Sequence, residues 1–191
     1  MWSSSRSPRR AYSLRRSWSL GAVLALSLAS ASALADAAHR FVFTAYADAV
    51  GGGDIIAGRY GAALEELKSH SRVTDLNSAA VDTNRCVAYS MTLHWQEART
   101  ACDAAVTAAG EQRDLSPPWW SWSHTLNDDY LALAYANRAV LHWMAHDAAA
   151  AQKDLAKAQE LSPQADFVAR NVAALKGHRA MALAAASAPQ S

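Results

Sequence analysis

The chain has 191 residues, with 18 Lys and Arg against 17 Asp and Glu, but this near-neutral sum hides two regions of different charge. Residues 1–35 hold five Arg (Arg6, Arg9, Arg10, Arg15 and Arg16) and no acidic residue, which leaves 13 basic and 17 acidic groups on the remaining 156 residues. A mildly acidic body argues against nucleic acid as the main partner, and 8 Gly with 5 Pro exclude collagen-like and Pro/Gly-rich disordered chains.

Taken in chain order, Met1–Arg16 is cationic and Ser-rich, Trp18–Ala31 is a short Leu-rich apolar run, and Ala33-Leu34-Ala35 is a small-x-small site before Asp36. That order is the one a secretory signal peptide follows, with cleavage after Ala35. The apolar run falls short of the about 20 residues a membrane-spanning helix needs. Membrane association is therefore expected only through the leader before cleavage, and the mature chain is expected outside the cytoplasm, in a periplasm-like compartment. Residues 36–53 form an N-terminal arm in which His39-Arg40-Phe41-Val42-Phe43-Thr44-Ala45-Tyr46 is aromatic and reads as extended. Gly51-Gly52-Gly53 reads as a turn or a helix start capped by Asp54.

Beyond the arm the chain is rich in Ala and poor in β-branched residues, which favours helices packed closely through small side chains. Apolar periodicity places helices near 54–70, 78–92, 96–109, 129–145, 147–160 and 164–176, with a frayed tail over 187–191. Gly58 marks a turn, and Pro163 ends one helix and opens the next. These helices repeat. Asn137-Arg138-Ala139-Val140 and Asn171-Val172-Ala173-Ala174 stand 34 residues apart, and Asn84-Arg85-Cys86-Val87 precedes Asn137 by 34 residues plus a 19-residue insertion over 110–128. Downstream of Asn137 come Ala151, Leu155, Ala158 and Pro163; at the same offsets from Asn84 come Ala98, Cys102 and Ala105.

A 34-residue period with this Ala spacing and a terminal Pro resembles the tetratricopeptide repeat (TPR). The best copy is Leu133–Pro163, a second spans Asn84–Gly110, a third begins at Gly58, and the stretch from Asn171 resembles a lone capping helix. The resemblance implies an all-α fold, an α-α superhelix of about three TPR-like helical hairpins plus a capping helix over 54–186. Ala139, Ala151 and Ala158 are expected at the crossing of one hairpin, and Cys86, Ala98 and Ala105 at that of another. It also places Cys86 and Cys102 at facing positions. In an exported protein that suggests a disulfide, the alternative being two buried thiols.

In the family, the first helix of each repeat lines a concave groove, and its Asn holds the backbone of an extended peptide. Carried over by position, the groove residues are Asn84, Val87, Met91, Leu133, Asn137, Val140, Met144, Phe167, Arg170 and Asn171. An amide both donates and accepts, so a ladder of them suits a peptide backbone. The resemblance therefore implies an exported, non-enzymatic scaffold or adaptor that binds a protein or peptide partner. Two alternatives stand beside it. Trp119, Trp120 and Trp122 in the insertion, or the aromatic arm, could serve self-association, although the Trp cluster reads equally as packing. His142 and His146 share a helix face, but no third and fourth ligand accompanies them, which favours a structural His142 over a metal-binding protein. No nucleophile elbow, phosphate loop, dinucleotide fingerprint or zinc-protease motif occurs, so no catalytic residue and no cofactor is assigned.

Overall fold

The computed structural model describes residues 40–69, 78–115 and 122–187, all within the unit Asp36–Ser191. The leader and its cleavage site, Trp119, Trp120 and the end of the tail lie outside the described residues. Among them the protein is all-α, with seven helices: α1 Gly52–Ile56, α2 Tyr60–Ser69, α3 Ser78–Met91, α4 Trp95–Asp114, α5 Trp122–Met144, α6 Ala148–Leu161 and α7 Asp166–Ser187. Sequential helices pack as antiparallel pairs, α1 with α2, α3 with α4 and α5 with α6. In addition α3 packs on α5 and α5 on α7, so these three lie side by side.

One turn chemistry closes all three hairpins. Gly58, Leu93 and His146 each have φ between 61° and 73°, in the left-handed region. Around each, two backbone bonds recur: Gly58 N–H to Ile55 C=O and Arg59 N–H to Asp54 C=O, then Leu93 to Ser90 with His94 to Tyr89, then His146 to Trp143 with Asp147 to His142. This paired bonding is a Schellman closure, which satisfies the last carbonyls of a helix when the next residue turns left-handed. Only the first copy uses glycine there. Leu93 and His146 carry the steric cost of that conformation. Asp147 then caps α6 by accepting from the Ala150 N–H.

The hairpins cross through small residues, as the repeat implied. Ala98, Ala139, Ala151 and Ala158 are fully buried, and Ala105 nearly so. A methyl side chain lets two helix backbones approach, and a larger one overpacks the crossing. Cys86 and Cys102 form a disulfide between α3 and α4, packed with Ala98, Ala101, Leu141 and Tyr89. Such a bond fits an oxidising compartment. No helix among the described residues is long and apolar enough to cross a membrane.

Three expectations are corrected. The helices placed near 96–109 and 129–145 are longer, extending into the 110–128 insertion: α4 runs on to Asp114 and α5 begins at Trp122. The extensions are joined by Gln112 Nε2 donating to Asn127 Oδ1 at 3.2 Å, by Asn127 Nδ2 donating to the Gln112 carbonyl at 3.3 Å and by an Arg113–Asp128 ion pair. Asp54 does not cap α1. Gly51 holds that position at φ 75°, while Asp54 sits in the first turn and pairs with Arg59. Pro163 lies between α6 and α7 rather than in the first turn of α7, because Ser162 leaves helical geometry and its hydroxyl is drawn to Asp129 at 2.5 Å.

Candidate functional site

The side-by-side helices α3, α5 and α7 each present one asparagine to the same face. Asn84, Asn137 and Asn171 are 0%, 1% and 0% exposed. A buried primary amide has two donors and an acceptor to satisfy, and leaving them unmet is costly. The N-terminal arm meets this demand. Asn171 Oδ1 accepts from the Val42 N–H at 2.7 Å, and its Nδ2 donates to the Val42 carbonyl at 3.0 Å. Asn137 treats Thr44 identically, at 2.9 Å and 2.7 Å. Asn84 accepts from the Tyr46 N–H at 2.9 Å and donates to the Tyr46 carbonyl at 3.0 Å and to the Val50 carbonyl at 3.0 Å.

The two-residue step follows from extended backbone. In an extended chain every second residue turns its N–H and C=O to the same edge, so residues 42, 44 and 46 face the amides. Two residues advance about 6.6–6.8 Å, whereas packed helix axes stand about 8–10 Å apart. The three amides must therefore lean towards one another to reach alternate residues of the strand. The arm runs from α7 through α5 to α3, against the order of the helices in the chain.

Side chains of the arm fill the flanks. Phe41 lies 5.7 Å from the His178 ring with planes 2° apart and 5.0 Å from Trp143. Phe43 and Ala45 pack on the cluster of Ile55, Leu64, Leu67, Val81 and Val87. Tyr46 stands edge-on to Tyr130 at 5.3 Å. The turn after Tyr46 is tight: a Cβ on Gly52 would fall 1.9 Å from the Tyr46 carbonyl oxygen. Six of the seven amide bonds hold residues 42, 44 and 46 and the seventh reaches Val50; with the two partly buried phenylalanines they oppose the backbone entropy lost in ordering the arm.

Burial raises the Tyr46 phenol well above its ordinary value, and Tyr130, Asp129 and Asp48 add to the effect. A raised folded pKa contributes stability below the unfolded pKa of about 10 that is lost as pH climbs past it. The denaturation midpoint is therefore expected to fall as pH rises above about 10, and more steeply than in Tyr46→Phe. A pH profile of urea unfolding for both proteins checks this, and parallel profiles would refute it.

Of the other groove residues, Val87 belongs to the cluster that receives Phe43, and Phe167 packs in the cluster that receives Phe41. Leu133 and Val140 are buried. Met91 is exposed at the end of α3. Met144 lines a separate depression with Trp95, Gln96 and Arg99. Arg170 is paired with Asp166 on its own helix. Trp122 begins α5. His142 Nε2 lies 3.6 Å from Asp154, His146 is the left-handed turn residue, and no group of three His, Cys, Asp or Glu among the described residues could hold a metal ion. Sequence reasoning missed Val42, Thr44 and Tyr46 as the partners of the asparagines, and Trp143 and His178 as the holders of Phe41. The available signal was an extended aromatic segment with no strand to pair with.

No protein family, curated protein or solved structure matches the chain.

Proposed function

We propose that this chain is an exported, non-enzymatic TPR-like scaffold, periplasmic in location, whose α3–α5–α7 face binds an extended segment of a partner protein. One observation carries the proposal: three buried asparagines, on three parallel-stacked helices, each grip both backbone groups of alternate residues in one extended segment. Backbone recognition is tolerant of sequence, and it needs only a chain free to extend. The 34-residue spacing of Asn137 and Asn171, the repeated Schellman turns and the alanine crossings support the TPR-like assignment. The disulfide supports export.

In this reading the arm occupies the partner's place. The test frees the groove within the full mature chain by Thr44→Pro, which deletes the N–H that donates to Asn137. A fluorescein-labelled peptide spanning residues 38–48 is then titrated against it. Saturable binding is expected. Adding Asn137→Ala is expected to weaken it about 5–100-fold through loss of two hydrogen bonds. Affinity that ignores Asn137→Ala, or no binding by a Thr44→Pro chain of native helicity, would overturn the proposal.

A further inference from the structure

The arm also carries information about what the groove selects. Its backbone grip is uniform along the strand, but its flanks are not. The position held by Phe41 lies against the rings of both Trp143 and His178, which touch each other at 4.9 Å, so the three rings form a triangle. The position held by Phe43 opens on an aliphatic cup that includes Ile55, Leu64, Leu67 and Val87. Ala45, next on the same flank, packs on that cup too, and Tyr46 turns to Tyr130 on the other flank. The order of the asparagines sets polarity: the end nearer the N-terminus of the strand lies over α7 and the other end over α3.

The arm is not sealed in. Residues 41–46 are all only partly buried and Arg40 is exposed. Backbone groups of Phe41, Phe43 and Ala45 face the edge away from the asparagines, by the alternation of extended chain. An occupant so placed can be lifted out from one side.

Resting on the proposed peptide-binding reading, we infer that the partner is an extended segment with the pattern aromatic-x-aromatic-x-small-aromatic, seated with its N-terminal end over α7, and that residues 41–46 are a built-in competitor it must displace. An aromatic side chain gives the largest apolar gain against such a pair of rings, with few rotors to freeze. A tethered arm acts as a competitor at an effective concentration of the order of millimolar. It therefore lowers the apparent affinity of any free peptide by the factor to which the arm fills the groove. Only a segment that matches the flanks as well as the backbone overcomes it.

The experiment uses the wild-type mature chain. Trypsin needs an extended segment on both sides of its target bond, so cleavage after Arg40 requires residues 41–43 to leave the groove. Two unlabelled peptides are added, both with Gln at the position of Arg40 so that trypsin spares them: one otherwise spanning residues 38–48 and one with Ala as well at the positions of Phe41 and Phe43. Release of the residues before Phe41 is followed by mass spectrometry. The aromatic peptide is expected to accelerate it, saturably, at least about tenfold more effectively than the alanine peptide. The same ranking is expected by direct titration of Thr44→Pro, with half-saturation at least about tenfold lower than in wild type. If Thr44→Pro binds both peptides equally, the specificity fails while the peptide-binding reading survives. If it binds neither, both fail. If it binds the aromatic peptide no more tightly than wild type does, the arm is not a competitor.

Discussion

Arg138→Ala is expected to destabilise the protein by about 3–5 kcal/mol, because it strands a buried carboxylate. Asp154 is 5% exposed and is held by Arg138 through Nε at 2.8 Å and Nη2 at 3.0 Å. The bidentate pair joins α5 to α6 beside the alanine crossing, and these bonds hold the guanidinium above its ordinary pKa. After the substitution His142, 3.6 Å away, is left beside the carboxylate. Arg138 also donates to Asp103 at 2.8 Å, but that partner is 66% exposed. Asp103→Ala is therefore expected to cost less than about 1 kcal/mol. Removing both members of the buried pair, as Arg138→Leu with Asp154→Leu, is expected to restore much of the loss, since no charge is left stranded. Urea unfolding of the three variants beside wild type checks this. Equal losses for Arg138→Ala and Asp103→Ala would refute it.

Reduction of the Cys86–Cys102 bond is expected to cost about 3 kcal/mol, the chain-entropy value for a loop of this size, since the two cysteines stand 16 residues apart. Both sulfurs are buried, so native protein is expected to resist alkylation and mild reductant. Mass spectrometry without reductant should find the cross-linked peptide, and unfolding with and without reductant should differ by the stated amount. Asn84 lies two residues before Cys86 on α3, so the bond also steadies the helix that grips Tyr46. Two freely alkylatable thiols in native protein would remove both effects.

The helical pairs were legible because their signals are local or periodic. Ala98, Ala105, Ala139, Ala151 and Ala158 recur at the offsets of a close helix crossing, and all are buried. Helix lengths were less legible. The second repeat copy ends at Gly110 by its spacing, yet Gly110 sits within α4, where a side chain would meet open space. An isolated helical glycine costs only about 1 kcal/mol, and the joined ends of α4 and α5 offset it. Leu93 and His146 also gave no glycine signal for turns that are nonetheless left-handed, because a Schellman closure and tertiary packing can hold a bulkier residue there.

The candidate site was legible in half. The repeat period picks out Asn84, Asn137 and Asn171 from sequence alone, since each falls at the same place in its helix. The aromatic arm was also visible as an extended segment. What sequence could not supply was that the two belong together. The bonds that join them link residues 38, 93 and 129 positions apart, and an amide that grips backbone leaves no mark on the side chains it holds. The sequence by itself determined the helices and the matching positions of the three asparagines, because these rest on propensity and period, while the facing of Cys86 and Cys102 was what the resemblance to the repeat implied. Only the tertiary structure decided that the ladder is occupied, by which residues and in which direction, because that depends on the approach of segments distant in the chain.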